Sequence, residues 1–180
     1  TIKYMIPNSS GIWVAEGPYF PVETLILNNH LVNSGIWVNV NSKQCMKINE
    51  NYVTGSSSNG IRVVDKCSEF MKPKCQNLEI AGNTIQNAAY CGIQIAGVEQ
   101  SIITNNTIFD CNMSNSTDED KSSAIMFISY AYGGSVCGNK IKNTPSGKMK
   151  YGINFFDSML FLKFLYSNNY IEGMLVDSIW

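Results

Sequence analysis

Apolar and polar residues alternate in short runs along this chain, and the runs recur in two forms. In the first form a Gly is followed by apolar residues at alternate positions, as in Gly35-Ile36-Trp37-Val38. The second form is an apolar run that ends in Asn-x-(Leu/Val/Ile), as in Asn83-Thr84-Ile85. A period of two is that of a strand and not of a helix, so both forms predict β-strands.

Each form recurs from one end of the sequence to the other. The first form begins at Gly11, Gly35, Gly60, Gly92, Gly152 and Gly173, with a member lacking Gly at Ala124. The second form has its asparagine at Asn29, Asn51, Asn83, Asn106, Asn139 and Asn169. Two interleaved elements on one period of ~20–30 residues indicate a solenoid, because a single unit cannot bury its apolar face without a neighbour.

Aligning the repeats shows which residues face the core. The position three residues before each Asn, the position two residues after it, and alternate positions after each Gly are apolar in nearly every repeat. We therefore expect Ile61, Val63, Ile80, Ile85, Ile93 and Ile95 to be buried. Three strands per coil, each with one inward face, predict an all-β parallel β-helix of about seven coils that forms a single domain over residues 1–180.

The repeated Asn and Gly residues have structural explanations, and we assign none of them to chemistry. Asn tolerates the left-handed backbone conformation of a sharp corner, and its amide can bond an equivalent Asn one coil away. Gly permits a positive φ at a second corner. The sequence thus predicts an asparagine column along the solenoid.

The quoted Asn-x-Ile and Gly-Ile-x-Val motifs resemble the repeats of the pectate-lyase-like superfamily, and they cover nearly the whole chain. Members of that superfamily include pectate lyases, polygalacturonases, mannuronan epimerases and bacteriophage tailspike depolymerases. The resemblance implies a right-handed parallel β-helix, most similar to a fragment of a tailspike. Because the lyase calcium aspartates and the paired aspartates of the galacturonases have no counterpart here, it implies no catalytic residue.

Composition and charge restrict the classes of partner that this chain can have. The formal net charge of −1 and the lack of clustered Lys and Arg argue against nucleic acid. The apolar stretch 153–166 contains Asp157 and Lys163 and is too short for a membrane span. The chain opens at Thr1 within repeat-like sequence and without a signal peptide, which favours a fragment whose partner is the remainder of a longer polypeptide or a homotrimer.

The six cysteines predict neither a metal site nor a clear disulfide framework. The sequence has no Cys-x-x-Cys pair and a single His, so we expect no metal and no cofactor. Most cysteines fall in or beside the predicted strands, where a thiol acts as a small apolar side chain. This favours assembly in a reducing compartment, with the pair Cys67 and Cys75 as the candidate exception.

Variation in coil length locates the loops. Excursions rich in Ser, Asn, Asp, Lys, Pro and Gly are predicted near residues 66–76, 110–123 and 142–150. Loops that leave the corners of a solenoid can form the walls of a groove along it, and such insertions often mark the binding face.

The outward positions of the Gly elements form the candidate substrate-binding surface. Trp13, Trp37, Arg62 and Gln94 are assigned to substrate binding, and the same column continues through Met126, Asn154 and Leu175. Flat aromatic rings beside hydrogen-bonding groups suit the faces and hydroxyls of a sugar chain. The alternative is that the two Trp residues pack beneath a neighbouring chain.

The candidate catalytic residues are three acids that each follow a repeat Gly by five positions, namely Asp65, Glu16 and Asp157. Glycoside hydrolysis uses two carboxylates, ~6.5–9.5 Å apart in inverting enzymes. Strand spacing places Asp65 ~10 Å from Glu16 and ~14 Å from Asp157. We expect the chain to turn just before these acids, which would put them at a solvated corner; the alternative is that they are solvated corner carboxylates without a catalytic role.

These observations favour a polysaccharide-binding and polysaccharide-degrading β-helix, such as a tailspike that recognises and cleaves a bacterial surface glycan as a glycoside hydrolase or a lyase. Its expected location is a virion tail or the extracellular space. A non-catalytic structural or adhesive β-helix is the second hypothesis. A secreted polysaccharide lyase or epimerase is the third.

Overall fold

The computed structural model describes residues 11–14, 23–40, 45–65, 75–128, 131–156 and 164–179. In these residues the chain forms twenty strands, β1 to β20, and one short 3-10 helix at Glu119–Lys121. The strands belong to three sheets. Each coil contributes one strand to each sheet, in chain order.

Sheet 1 contains β1 (Gly11–Val14), β4 (Gly35–Val40), β7 (Ile61–Asp65), β11 (Ile93–Ala96), β14 (Ser123–Ile128), β17 (Tyr151–Phe156) and β20 (Asp177–Ile179). Sheet 2 contains β2 (Glu23–Leu27), β5 (Cys45–Asn49), β9 (Leu78–Ala81), β12 (Val98–Thr104), β15 (Tyr132–Cys137) and β18 (Phe164–Ser167), with β8 (Cys75–Gln76) paired to the start of β12. Sheet 3 contains β3 (His30–Val32), β6 (Tyr52–Thr54), β10 (Thr84–Gln86), β13 (Thr107–Phe109), β16 (Lys140–Lys142) and β19 (Tyr170–Glu172).

Neighbouring strands in all three sheets are parallel, and equivalent repeat positions are in register. Ile93, for example, pairs with Ile61 on one side and with Ile125 on the other. The predicted fold is therefore confirmed as a right-handed parallel β-helix with three strands per coil. The six strands of sheet 3 mark six complete coils within the described residues, and β20 begins a seventh.

The core runs along the axis of the helix between the inward faces of the three sheets. All six residues expected in the core are fully buried: Ile61, Val63, Ile80, Ile85, Ile93 and Ile95. Toward the last coils the core becomes aromatic, and the rings of Phe127 and Phe155 stack with centroids 4.8 Å apart. Alternation along each strand therefore predicts the core correctly.

The six repeated asparagines form a continuous hydrogen-bonded column, as predicted. In each of the inner coils the side-chain amide nitrogen donates to the Oδ1 of the next Asn, as from Asn83 Nδ2 to Asn106 Oδ1 at 2.9 Å. The same nitrogen of Asn83 donates to the backbone oxygen of Ile48 at 2.7 Å. Each inner coil is thereby bonded to both of its neighbours.

The left-handed backbone conformation expected at these asparagines lies one residue earlier. Positive φ angles occur at Asn28, Glu50, Gly82, Asn105, Gly138 and Asn168, each of which directly precedes a column Asn. A residue with positive φ turns the chain, and the following Asn then points inward, where its amide is held by neighbouring coils. The two roles that the sequence suggested for one Asn are divided between two residues.

The repeated Gly residues are explained by close packing more than by backbone angle. Gly11 has a φ of 102°, whereas Gly60 and Gly92 have no positive φ. A Cβ atom at Gly60 would lie 2.4 Å from Cγ2 of Ile85 and 2.7 Å from the backbone oxygen of Gly92. The next coil is too close for a side chain, which corrects the expected role of Gly at this corner.

The last repeat has a different register from the one expected. Gly173 has a φ of 78° and occupies a corner, and residues 173–176 form no strand. The backbone nitrogens of Leu175 and Val176 donate to the backbone oxygens of Met149 and Lys150, which belong to the 142–150 excursion. This excursion holds residues 175 and 176 at the corner, so sheet 1 resumes only at β20 and Leu175 is not part of the outward column.

Candidate functional site

The outward column of sheet 1 is formed as the repeat pattern predicts. Trp13 pairs with Trp37, Trp37 with Arg62, and Arg62 with Gln94, so the four side chains lie on consecutive coils. Trp13 is 50% exposed and Trp37 is 40% exposed. Two neighbouring indole rings are thus presented to solvent on one face. We refer to Trp13, Trp37 and Arg62 as the Trp–Arg face.

The column does not stay exposed beyond Arg62. Arg62 is half-buried, Gln94 is 6% exposed, and Met126 and Asn154 are fully buried. The excursion at 110–123 folds back over sheet 1: Gln94 Nε2 donates to the backbone oxygen of Asp120 at 3.0 Å, and the 3-10 helix packs against β14. The expectation of a uniformly exposed column is therefore wrong at these three positions.

Several contacts hold the excursion in place. Lys150 Nζ donates to the backbone oxygen of Thr117 at 3.0 Å, and Lys121 lies 5.7 Å above the ring of Tyr90. Lys121 also pairs with Asp118 at 2.5 Å. The excursion therefore closes one end of the Trp–Arg face.

A buried polar network lies at that closed end. Gln94 Oε1 accepts hydrogen bonds from Arg62 Nε at 2.9 Å and from Asn59 Nδ2 at 3.0 Å. Asn59 Oδ1 in turn accepts from the backbone nitrogen of Cys91 at 3.0 Å. Together with the bond to Asp120, these contacts fix both the position and the orientation of the Gln94 amide. Arg62 is thereby held at its Nε.

Sequence reasoning missed Asn59 and Asp120 as parts of this site. Asn59 directly precedes a repeat Gly, and that corner position is the signal by which it could have been found. Asp120 contributes only its backbone oxygen. A backbone contact made by a folded-back loop leaves no residue-type signal in the sequence.

Of the three candidate catalytic acids, only Asp65 lies among the described residues. Asp65 is the last residue of β7, pairs with Val40 in β4, and is 5% exposed. Strand β7 continues through Asp65 instead of turning before it, so the side chain follows the inward parity. The expectation of a solvated corner is wrong for Asp65, whereas Glu16 and Asp157 lie outside the described residues.

Four cysteines in the described part of the chain are free thiols: Cys45, Cys91, Cys111 and Cys137. Burial raises the pKa of Cys91 and the pKa of Cys111 to about 12 each. These two thiols are therefore protonated near neutral pH and are poor nucleophiles or metal ligands. The side chains of the candidate pair, Cys67 and Cys75, are not among those that the structure describes.

The described residues include no group of three or more His, Cys, Asp or Glu side chains placed to hold a metal ion. Within the same ranges no helix has the length and apolar character needed to cross a membrane.

No protein-family model matches this sequence, and no curated protein or solved structure is significantly similar to it. The fold and the exposed Trp residues define the chain as a parallel β-helix with an exposed aromatic face. Membership of the pectate-lyase-like superfamily has no support from these comparisons.

Proposed function

We propose that this protein binds a polysaccharide along the Trp–Arg face, as a β-helix of the tailspike type would. One observation carries the proposal: Trp13 and Trp37 are in register on adjacent coils and are 50% and 40% exposed. Exposed apolar side chains that lie side by side, unlike scattered ones, mark interaction surfaces in folded proteins. Sugar rings present flat C–H faces that stack on indole, and their hydroxyls can bond the adjacent guanidinium.

The test is binding of purified protein to an array of bacterial surface polysaccharides, followed by titration calorimetry of the bound glycan. Trp37→Ala should weaken binding by ~1–3 kcal/mol, a magnitude scaled from aromatic stacking on planar ligands, and should leave the melting temperature nearly unchanged. Leu165→Ala is the matched control, because Leu165 is an exposed apolar residue, at 63%, on sheet 2.

A non-catalytic structural role is the main competitor. If Trp13 and Trp37 pack beneath another subunit of a homotrimer, Trp37→Ala will change the sedimentation coefficient and leave glycan binding intact. That result would reject the Trp–Arg face as a glycan site and favour the structural β-helix, whether in a virion tail or elsewhere.

Polysaccharide cleavage is a second candidate function, with Asp65 as general acid or base and Glu16 or Asp157 as its partner. It is favoured by the position of Asp65, which follows Arg62 by three residues on the same strand. It is opposed by the burial of Asp65, because a general acid must reach the scissile oxygen.

The cleavage proposal is tested on the glycan identified by the array. New reducing ends would indicate hydrolysis, and unsaturated products would indicate a lyase. Asp65→Asn should lower turnover by at least ~100-fold without loss of binding. Unchanged product formation by this variant would exclude Asp65 from the reaction.

A further inference from the structure

Resting on the proposed function, the geometry points to an anionic substituent on the glycan: we infer that Arg62 binds a carboxylate, phosphate or sulfate group of the chain that stacks on Trp37. The inference concerns the class of ligand at the closed end of the Trp–Arg face. Four features of this end of the face support it.

The first feature is that Arg62 is held by a buried partner. Its Nε donates to Gln94 Oε1 at 2.9 Å, and Gln94 is 6% exposed. Gln94 also accepts from Asn59 and donates to the backbone of Asp120, so its amide cannot rotate without losing a hydrogen bond. The entropy that a long side chain ordinarily loses on binding is thus largely lost already in the free protein.

The second feature is that Arg62 forms no ion pair with any other described residue. Among the described residues the ion pairs are Lys47 with Glu23, Lys121 with Asp118, and Lys142 with Glu172, and none includes Arg62. Asp120 meets this network through its backbone oxygen. A guanidinium fixed at Nε retains its terminal N–H groups, which are suited to two parallel hydrogen bonds to one anionic group.

The third feature is position. Arg62 lies one coil beyond Trp37, and parallel coils are ~4.8 Å apart, which is close to the length of one sugar unit. A sugar stacked on Trp37 can therefore present a substituent to Arg62 without bending the chain.

The fourth feature is the wall formed by the excursion at 110–123. Gln94, on the next coil, is covered, so Arg62 lies at the border between solvent and a buried surface. Reduced access of water strengthens a charge-assisted hydrogen bond relative to one on an open surface.

The experiment uses a glycan array that carries each acidic oligosaccharide beside its neutralised counterpart, either carboxyl-reduced, dephosphorylated or desulfated. The wild-type protein should bind the acidic member of at least one pair about 10-fold more tightly than the neutral member. The chemical form of the bound pair identifies which of the three anions is recognised.

The variant Arg62→Gln should lose this difference of about 10-fold, because Gln keeps the polarity and removes the charge. Lys140→Gln is the matched control, since it makes the same charge change at an exposed position on sheet 3. Arg62→Lys should recover part of the preference for the acidic member, because Lys restores the charge but cannot make two parallel hydrogen bonds to one anionic group. Circular dichroism and the melting temperature establish that each variant is folded.

The outcomes separate this inference from the proposed function. Equal binding of acidic and neutral members by the wild type, with Trp37→Ala still weakening both, would overturn the role of Arg62 and leave glycan binding standing. An acidic preference that survives Arg62→Gln would also overturn it. Binding of no glycan by the wild type would reject both.

Discussion

At the scale of single residues, the column asparagines explain how sheet 3, whose strands have only three residues each, stays ordered. The side chain of Asn83 is completely buried, accepts from the backbone and the side chain of Asn51, and donates to Ile48 and Asn106. Buried amides that satisfy all their hydrogen bonds are specific as well as stabilising, because no other side chain of that size offers the same donors and acceptors. The asparagines therefore set the register between coils.

Replacing an inner column residue should be much more damaging than replacing an end residue. Asn83→Leu keeps the approximate volume but leaves the backbone oxygen of Ile48 and the backbone N–H of Asn51 without these partners, so we expect the free energy of unfolding to fall by about 3–5 kcal/mol. Urea denaturation measures the change. Asn29→Leu, in the first coil and only half-buried, should cost about 1 kcal/mol. Equal losses at the two positions would contradict this explanation of the column.

The buried thiols predict a loss of stability at high pH. In the unfolded chain each thiol has its ordinary pKa of 9.0, whereas in the folded chain burial raises the pKa of Cys91 and Cys111 to about 12. Between pH 9 and pH 12 the unfolded state therefore binds fewer protons, and stability must fall as the pH rises.

At pH 10 this effect should reach about 1.4 kcal/mol for each thiol relative to pH 8. Urea unfolding with a reducing agent at the two pH values measures it. The double variant Cys91→Ala with Cys111→Ala should show a shallower dependence on pH. If the stability of wild type and variant depends on pH in the same way, burial does not keep these thiols protonated.

At the scale of strands and loops, the strands form the β-helix, and the excursion at 110–123 determines which part of its outer surface is exposed. The strands are held by their neighbours, and the tight approach at Gly60 and Gly92 lets successive coils stack at strand spacing. The excursion at 110–123 instead contacts the outside of sheet 1, where its Asp120 backbone oxygen accepts a hydrogen bond from the outward Gln94 side chain of β11. The site is thus the part of a regular column that this loop leaves open.

The packing explanation of the repeat glycines gives an ordered pair of predictions. Gly60→Ala should destabilise the protein by about 2 kcal/mol or more, because its Cβ would overlap Ile85 and the backbone of Gly92. Gly82→Ala should cost only about 1 kcal/mol, since Gly82 has a φ of 65° but its Cβ would come no closer than 3.5 Å to Glu50. Thermal unfolding of the two variants compares them, and the reverse order would mean that backbone angle governs both positions.

At the scale of the whole molecule, the fold is predictable because it is repeated. The alternation in β7, β9, β10 and β11 places Ile61, Ile80, Ile85 and Ile93 in the core, and each repeat supports the assignment of its neighbours. Such quasi-one-dimensional proteins depend on contacts between adjacent coils, so a short period in the sequence maps directly onto the structure.

The site was only partly predictable because it depends on contacts that are not repeated. Trp13 and Trp37 follow the repeat and are exposed as expected, whereas Gln94 is covered by a loop whose path no periodicity encodes. The expected position of Asp65 is wrong because β7 continues through this residue, so its side chain keeps the inward direction of the strand instead of lying at a turn. The predicted register of the last repeat is wrong because it is fixed by contacts with residues 149 and 150, which are not repeated in other coils.

The most direct test of the central claim is fluorine NMR of protein labelled with 5-fluorotryptophan, titrated with the oligosaccharide that the array identifies. The chain has three tryptophans, so three resonances are expected, and Trp→Phe variants assign them. If the glycan lies on the Trp–Arg face, the signals of Trp13 and Trp37 should shift together and saturate at the affinity measured by calorimetry. Saturable binding that leaves both signals unmoved would contradict the account and place the glycan elsewhere on the β-helix.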